Sequence, residues 1–185
     1  MEAATFAHFR TSRALAVGTG LRIVAAPVIL ALLLGDHRAV ALAVFLCAAA
    51  TDFVDGKLAR RWEVATKLGS FLDTTADKLL VATTLIGLLS AGRVSPWIVF
   101  LIVGREFMVL GLRAAVSASG VTFETSRLGK WKASFQFVAI AIAIVRPDLI
   151  VLGAYLDQWL MAAVTAVTVW SGIDYVARSM SALSS

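Results

Sequence analysis

Residues 52–77 read DFVDGKLARRWEVATKLGSFLDTTAD, and they place Asp52, Asp55, Asp73 and Asp77 inside two apolar runs joined by a short basic link. Spacings of three and four residues put each aspartate pair on one face of a helix. Positions 55 and 73 average to 64, and 52 and 77 to 64.5, so across an antiparallel hairpin the two pairs lie at matching depths. Asp55 and Asp73 are expected in one layer and Asp52 and Asp77 in a second, roughly 5–6 Å farther from the turn. Four carboxylates gathered away from water would protonate or push the helices apart, and a divalent cation resolves both problems. All-oxygen ligands select a hard ion, Mg²⁺, Mn²⁺ or Ca²⁺, and four carboxylates can bridge two of them. Intramembrane acids also build cation and proton pathways, which is the rival reading. Around the acids, Gly56 and Ala59 make one helix face small, Arg60 offers a fork for phosphate oxygens, and Gly69 clears the facing helix. A pathway for bare ions explains neither the small residues nor the arginine.

Outward from this stretch, the 185 residues are 59% hydrophobic and 16% charged, with mean hydropathy +0.86. That composition excludes disorder and argues against a water-soluble enzyme. Apolar runs predict six membrane-spanning helices, at about 14–34, 39–61, 68–90, 94–117, 131–147 and 149–177, in an all-α polytopic protein. No linker is long enough to divide the chain, so 1–185 reads as a single membrane domain. Ten Lys and Arg residues flank the spans on the N-terminal side, against Arg38, Arg93 and Arg146 on the other, which predicts both termini in the cytoplasm. The first run is long, contains Arg22 and Pro27 and lacks a small-residue cleavage site, so it reads as a span rather than a signal peptide. The net charge of +5 comes without any nucleic-acid-binding pattern, and anionic lipid and phosphate are the expected partners. Cys47, the single cysteine, reads as packing within an apolar run. The five tryptophans read mainly as an interfacial belt, and Thr51 as bonding back to its own helix.

The pattern D-x2-D-G-x2-A-R-x8-G-x3-D-x3-D, filled at every fixed position by residues 52–77, resembles the signature of the CDP-alcohol phosphotransferases. The resemblance implies six membrane helices, usually in a homodimer, and transfer of a phosphatidyl-type group from a CDP-linked donor to an alcohol with loss of CMP. It implies that Asp52, Asp55, Asp73 and Asp77 hold two divalent cations, Mg²⁺ or Mn²⁺. It further implies that Asp55, Gly56, Ala59, Arg60 and Gly69 adjoin the cytidine diphosphate, and that Asp77 is the general base. The chemistry agrees: metals on the diphosphate make CMP a better leaving group, while a carboxylate takes the acceptor hydroxyl's proton.

Outside the signature, Thr19-x-x-Arg22 with Pro27, Arg105-Glu106-Phe107, residues 126–132 with Gln136, and Ser171-Gly172-Ile173-Asp174-Tyr175 resemble the branch of that family that joins CDP-diacylglycerol to glycerol 3-phosphate. Ala16, Gly18 and Ala133 depart from that branch's usual pattern, which leaves phosphatidylglycerol or an inositol phosphate open as acceptors. Arg105, Arg113, Lys130 and Lys132 supply the cations that a phosphorylated acceptor needs. Lys130 and Lys132 also fit a purely topological role, and Arg105 a pairing with Glu106.

Overall fold

A computed structural model describes residues 2–62, 67–118 and 127–183, with side chains placed for 17–51, 69, 71–116 and 133–180. In chain order they form α1 (Glu2–Leu34), α2 (Arg38–Trp62), α3 (Lys67–Ser90), α4 (Pro96–Ala118), α5 (Arg127–Val145), β1 (Ile150–Val151), β2 (Ala154–Tyr155) and α6 (Leu156–Leu183). The all-α expectation holds, with one small hairpin added. Two compact units divide the chain at Gly87 and Leu88.

In the first unit α1 packs against α2, and the buried residues recur at helical spacing. Ala25, Ala26, Ile29 and Leu33 face inward from α1, and Ala41, Phe45 and Ala48 from α2. Small residues let the helices approach, and Gly87 on α3 extends this logic: a Cβ there would lie 2.7 Å from Leu33 Cδ1. The α1–α2 turn follows Schellman geometry, with His37 N–H donating to the Leu32 carbonyl (2.8 Å) and Asp36 N–H to Leu33 (3.2 Å). The left-handed residue is Asp36 (φ 58°), not Gly35, and its carboxylate receives Arg38 Nε at 2.6 Å. Cys47 lies on the exposed face of α2.

In the second unit α4 and α5 both pack on α6. Ile102 of α4, Ile140 and Ile144 of α5, and Met161 and Val164 of α6 are fully buried. Gly92 (φ 66°) ends α3 in a second Schellman turn, with Arg93 N–H on the Leu88 carbonyl (2.9 Å). Ser95 then caps α4, whose first residue is Pro96. Arg93, 5% exposed, donates Nη1 to the carbonyls of Ala143 (3.2 Å) and Ile144 (2.7 Å), placing a positive charge on the acceptors that α5 leaves unpaired at its C-terminal end.

The last helix begins later than expected. Residues 149–155 form the β1–β2 hairpin, paired Ile150 to Tyr155 and Val151 to Ala154. Its two-residue loop, Leu152 (φ 50°) and Gly153 (φ 81°), needs positive φ at both positions, the requirement of a type I′ turn. Trp159 Nε1 donates to the Val151 carbonyl at 2.8 Å, and the Arg146 guanidinium stacks 4.4 Å from the Tyr155 ring centre.

Among the described residues, Val17–Leu34 and Leu156–Met180 are long and apolar enough to cross a membrane, and Arg38–Thr51 and Ala133–Val145 are shorter apolar stretches. Charges interrupt the apolar runs of the other helices, as Arg105, Glu106 and Arg113 do in α4 and Asp73, Asp77 and Lys78 do in α3.

Candidate active site

Asp73 and Asp77 stand one turn apart on α3, where the i, i+4 spacing aligns them on one face. Opposite them, Arg22 of α1 spreads its guanidinium between the two carboxylates: Nη1 donates to Asp77 Oδ1 at 2.5 Å and Nη2 to Asp73 Oδ1 at 2.7 Å. Thr19, three residues earlier on α1, donates Oγ1 to the same Asp73 oxygen at 3.1 Å. Arg22 is 0% exposed, whereas the side chains of Asp73 and Asp77 are 35% and 27% exposed. A buried charge is tolerable when paired and hydrogen-bonded, and Arg22 is paired with both Asp73 and Asp77.

The second aspartate pair belongs to α2, whose helix runs through Asp52, Asp55, Gly56, Ala59 and Arg60. The side chains of these five lie outside the described residues, so the expected convergence of the two pairs does too. Among the described residues no group of three His, Cys, Asp or Glu side chains is arranged to hold a metal ion. Gly69 falls in the first turn of α3 and is exposed. Thr51 donates Oγ1 to the Ala48 carbonyl at 2.7 Å, as expected of a hydroxyl within its own helix.

The basic candidates belong to the second unit. Arg105 of α4 donates Nη1 to Glu106 Oε1 (3.2 Å) and Nη2 to Ser171 Oγ of α6 (2.9 Å), while its buried Nε has no hydrogen-bond partner among the described residues. Gly172 makes room for it: a Cβ at 172 would meet Arg105 Cγ at 2.8 Å. Tyr175 Oη, one turn along from Ser171, is also buried without a hydrogen-bond partner among the described residues. Arg113 is exposed two turns along α4. Lys130 and Lys132 open α5, with side chains outside the described residues. An apolar groove of about 450 Å³ between α4 and α6, lined by Leu101, Thr165, Val169 and Trp170 among others, carries no charged group.

Two site residues escaped a reading based on spacing. Arg22 and Thr19 are 51 or more residues from their carboxylate partners. The available signals were the arginine itself, a charge within an apolar run, and the resemblance carried by Thr19-x-x-Arg22.

A helical chain whose acids are presented from inside apolar segments, against a buried arginine, is of the class that handles charged groups at a membrane. The family model for CDP-alcohol phosphatidyltransferases matches residues 16–170, and the chain belongs to that family. A Cereibacter sphaeroides relative named CDP-diacylglycerol--glycerol-3-phosphate 3-phosphatidyltransferase is 40% identical over 67% of this chain and 59% of its own length. A Bacillus subtilis protein of the same name is 38% identical over 75% of this chain and 72% of its own. The Mycobacterium tuberculosis protein named "Probable phosphatidylglycerophosphate synthase" is 41% identical over 88% of this chain and 79% of its own length.

Proposed function

We propose that the protein transfers the phosphatidyl group of CDP-diacylglycerol to glycerol 3-phosphate, giving phosphatidylglycerophosphate and CMP. The observation that carries this reading is the Asp73–Asp77 pair, held from behind by Arg22 and partly open in front, in a chain whose relatives bear that activity in their names. Family membership also favours phosphotransfer over an ion pathway.

The donor set suits the proposed cofactors, two Mg²⁺ or Mn²⁺ ions held by Asp52, Asp55, Asp73 and Asp77. Asp73 and Asp77 are oxygen-only donors on one helical face, the kind of ligand a hard divalent ion takes. When bound, the ions would neutralise the diphosphate and ease departure of CMP. In the transfer, the acceptor hydroxyl oxygen bonds to the lipid-side phosphorus as the bridging bond to CMP breaks, and Asp77 takes the hydroxyl proton. Asp55, Gly56, Ala59, Arg60 and Gly69 are the proposed cytidine diphosphate contacts. Arg105, Arg113, Lys130 and Lys132 are the proposed ligands of the acceptor's phosphate, with Glu106 and Ser171 orienting Arg105.

The same proposal makes residues 1–185 one membrane domain of six crossing helices, working as a homodimer, with the site and both termini on the cytoplasmic side. The exposed apolar side chains support it: Val24 on α1, Trp97 and Phe100 on α4, and Trp170 and Ile173 on α6 all suit a lipid environment.

The test is CMP release by the purified protein with CDP-diacylglycerol and Mn²⁺ or Mg²⁺, offering glycerol 3-phosphate, phosphatidylglycerol and inositol phosphate separately. Release only with glycerol 3-phosphate is expected. Release only with another acceptor would keep the aspartate site and reassign the basic residues.

A further inference from the structure

We propose that Arg22 is a positioning residue for the metal site: from α1 it fastens one oxygen of Asp73 and one of Asp77, setting the two carboxylates for a divalent cation. The inference rests on the metal–carboxylate reading above. Two aspartates one turn apart repel, and without a partner they would turn away from each other. Arg22 removes that freedom with two separate bonds, Nη1 to Asp77 and Nη2 to Asp73, each to an Oδ1 atom. Thr19 adds a third donor on Asp73 Oδ1, so both of these contacts to Asp73 from α1 converge on one oxygen of the carboxylate.

Exposure gives the arrangement a direction. The arginine is wholly buried and the carboxylates are about a quarter to a third exposed, so the anchoring lies on the protein side and the opening on the other. Hydrogen-bonded partners behind metal ligands orient them in this way, and removing such a partner typically costs about 10–100-fold in metal affinity. A fork is required for the job. Lysine keeps the charge but is a compact point donor and cannot reproduce two fixed, diverging bonds.

Two other roles for Arg22 predict different results. As an ion pair that merely ties α1 to α3, it would affect stability and leave the folded protein's metal affinity unchanged. As a built-in competitor for the cation, its loss would tighten metal binding. The experiment is Mn²⁺ binding to the purified full-length protein, without lipid substrate, followed by the electron paramagnetic resonance signal of free Mn²⁺. Wild type, Asp77→Asn, Arg22→Gln and Arg22→Lys are compared. Arg22→Gln is expected to weaken binding by about 10–100-fold, and Arg22→Lys to weaken it by a smaller factor in the same direction. Should Arg22→Gln fail to fold, Arg22→Lys decides, since it retains the buried charge. Affinity equal to or tighter than wild type in the folded Arg22 variants overturns the inference alone. Wild type that binds no Mn²⁺, or Asp77→Asn that binds as wild type does, overturns the metal reading and this inference with it.

Discussion

Asp77 and Asp73 sit one turn apart on the same arginine, yet the proposed duties of the aspartates differ, and substitution separates them. Asp77→Asn, which removes both a metal ligand and the proposed base, should lower CMP release by about 10²-fold or more, a larger loss in turnover than in CDP-lipid binding. Asp55→Asn should weaken metal and nucleotide binding together. Wild-type turnover by Asp77→Asn would remove the base assignment. Lys130→Ala and Lys132→Ala should raise the KM for glycerol 3-phosphate with little change in kcat, and an unmoved KM would leave both lysines to membrane topology. At this scale the acids were legible because charge inside an apolar run stands out, and their spacing states which share a face. Arg22 stood out equally, but no local spacing rule links it to partners 51 and 55 residues away. Arg105 carried two readings in the sequence, and the contact with Glu106 belongs to one of them, while Ser171 is reached only through the packing of α6 on α4.

Among elements, close approach governs more than composition does. Gly172→Ala would drive a Cβ to within 2.8 Å of Arg105 Cγ, an atom near the stem of the side chain and so unable to swing clear. Overpacking of this kind costs about 1–3 kcal/mol, and it should appear as a lower thermal midpoint in detergent. Arg93→Ala leaves the last carbonyls of α5 without their cation, at a cost of about 1–3 kcal/mol by the same measurement. The ends of α2, α3 and α4 followed from Gly, Pro and polar punctuation to within a residue or two of the expected spans. The start of α6 did not, because residues 149–155 continue the apolar run while folding as a hairpin. Hydropathy does not register backbone direction. The positive φ at Leu152, a side chain 90% exposed, is set by the hairpin it joins.

For the whole molecule, the three basic residues counted against a cytoplasmic N-terminus each have a local partner. Arg38 pairs with Asp36, Arg93 caps α5, and Arg146 stacks on Tyr155. Their presence is accounted for by turns and caps, so they bear little on orientation, and the proposed topology gains from their removal from the vote. In a Cys47→Ser background, a membrane-impermeant thiol reagent applied to intact cells should label Asp148→Cys. It should reach Ser12→Cys only after permeabilisation, and the reverse pattern would invert the topology.

The buried fork between α1 and α3 also bears on how the chain is made. Synthesis delivers Arg22 first, and its carboxylate partners emerge more than 50 residues later. On the proposed topology, the opening segment must therefore enter the bilayer as an uncompensated cation, a burden of up to about 2.5–3.5 kcal/mol for an arginine at mid-membrane. α2 and α3 then complete a neutralisation that α1 cannot achieve alone. Nascent chains stopped before residue 73 should insert their first segment less firmly than chains extended past residue 77, and Arg22→Leu should erase that difference. On that topology the ion pair would be a delayed partner in assembly, with α1 waiting for α3.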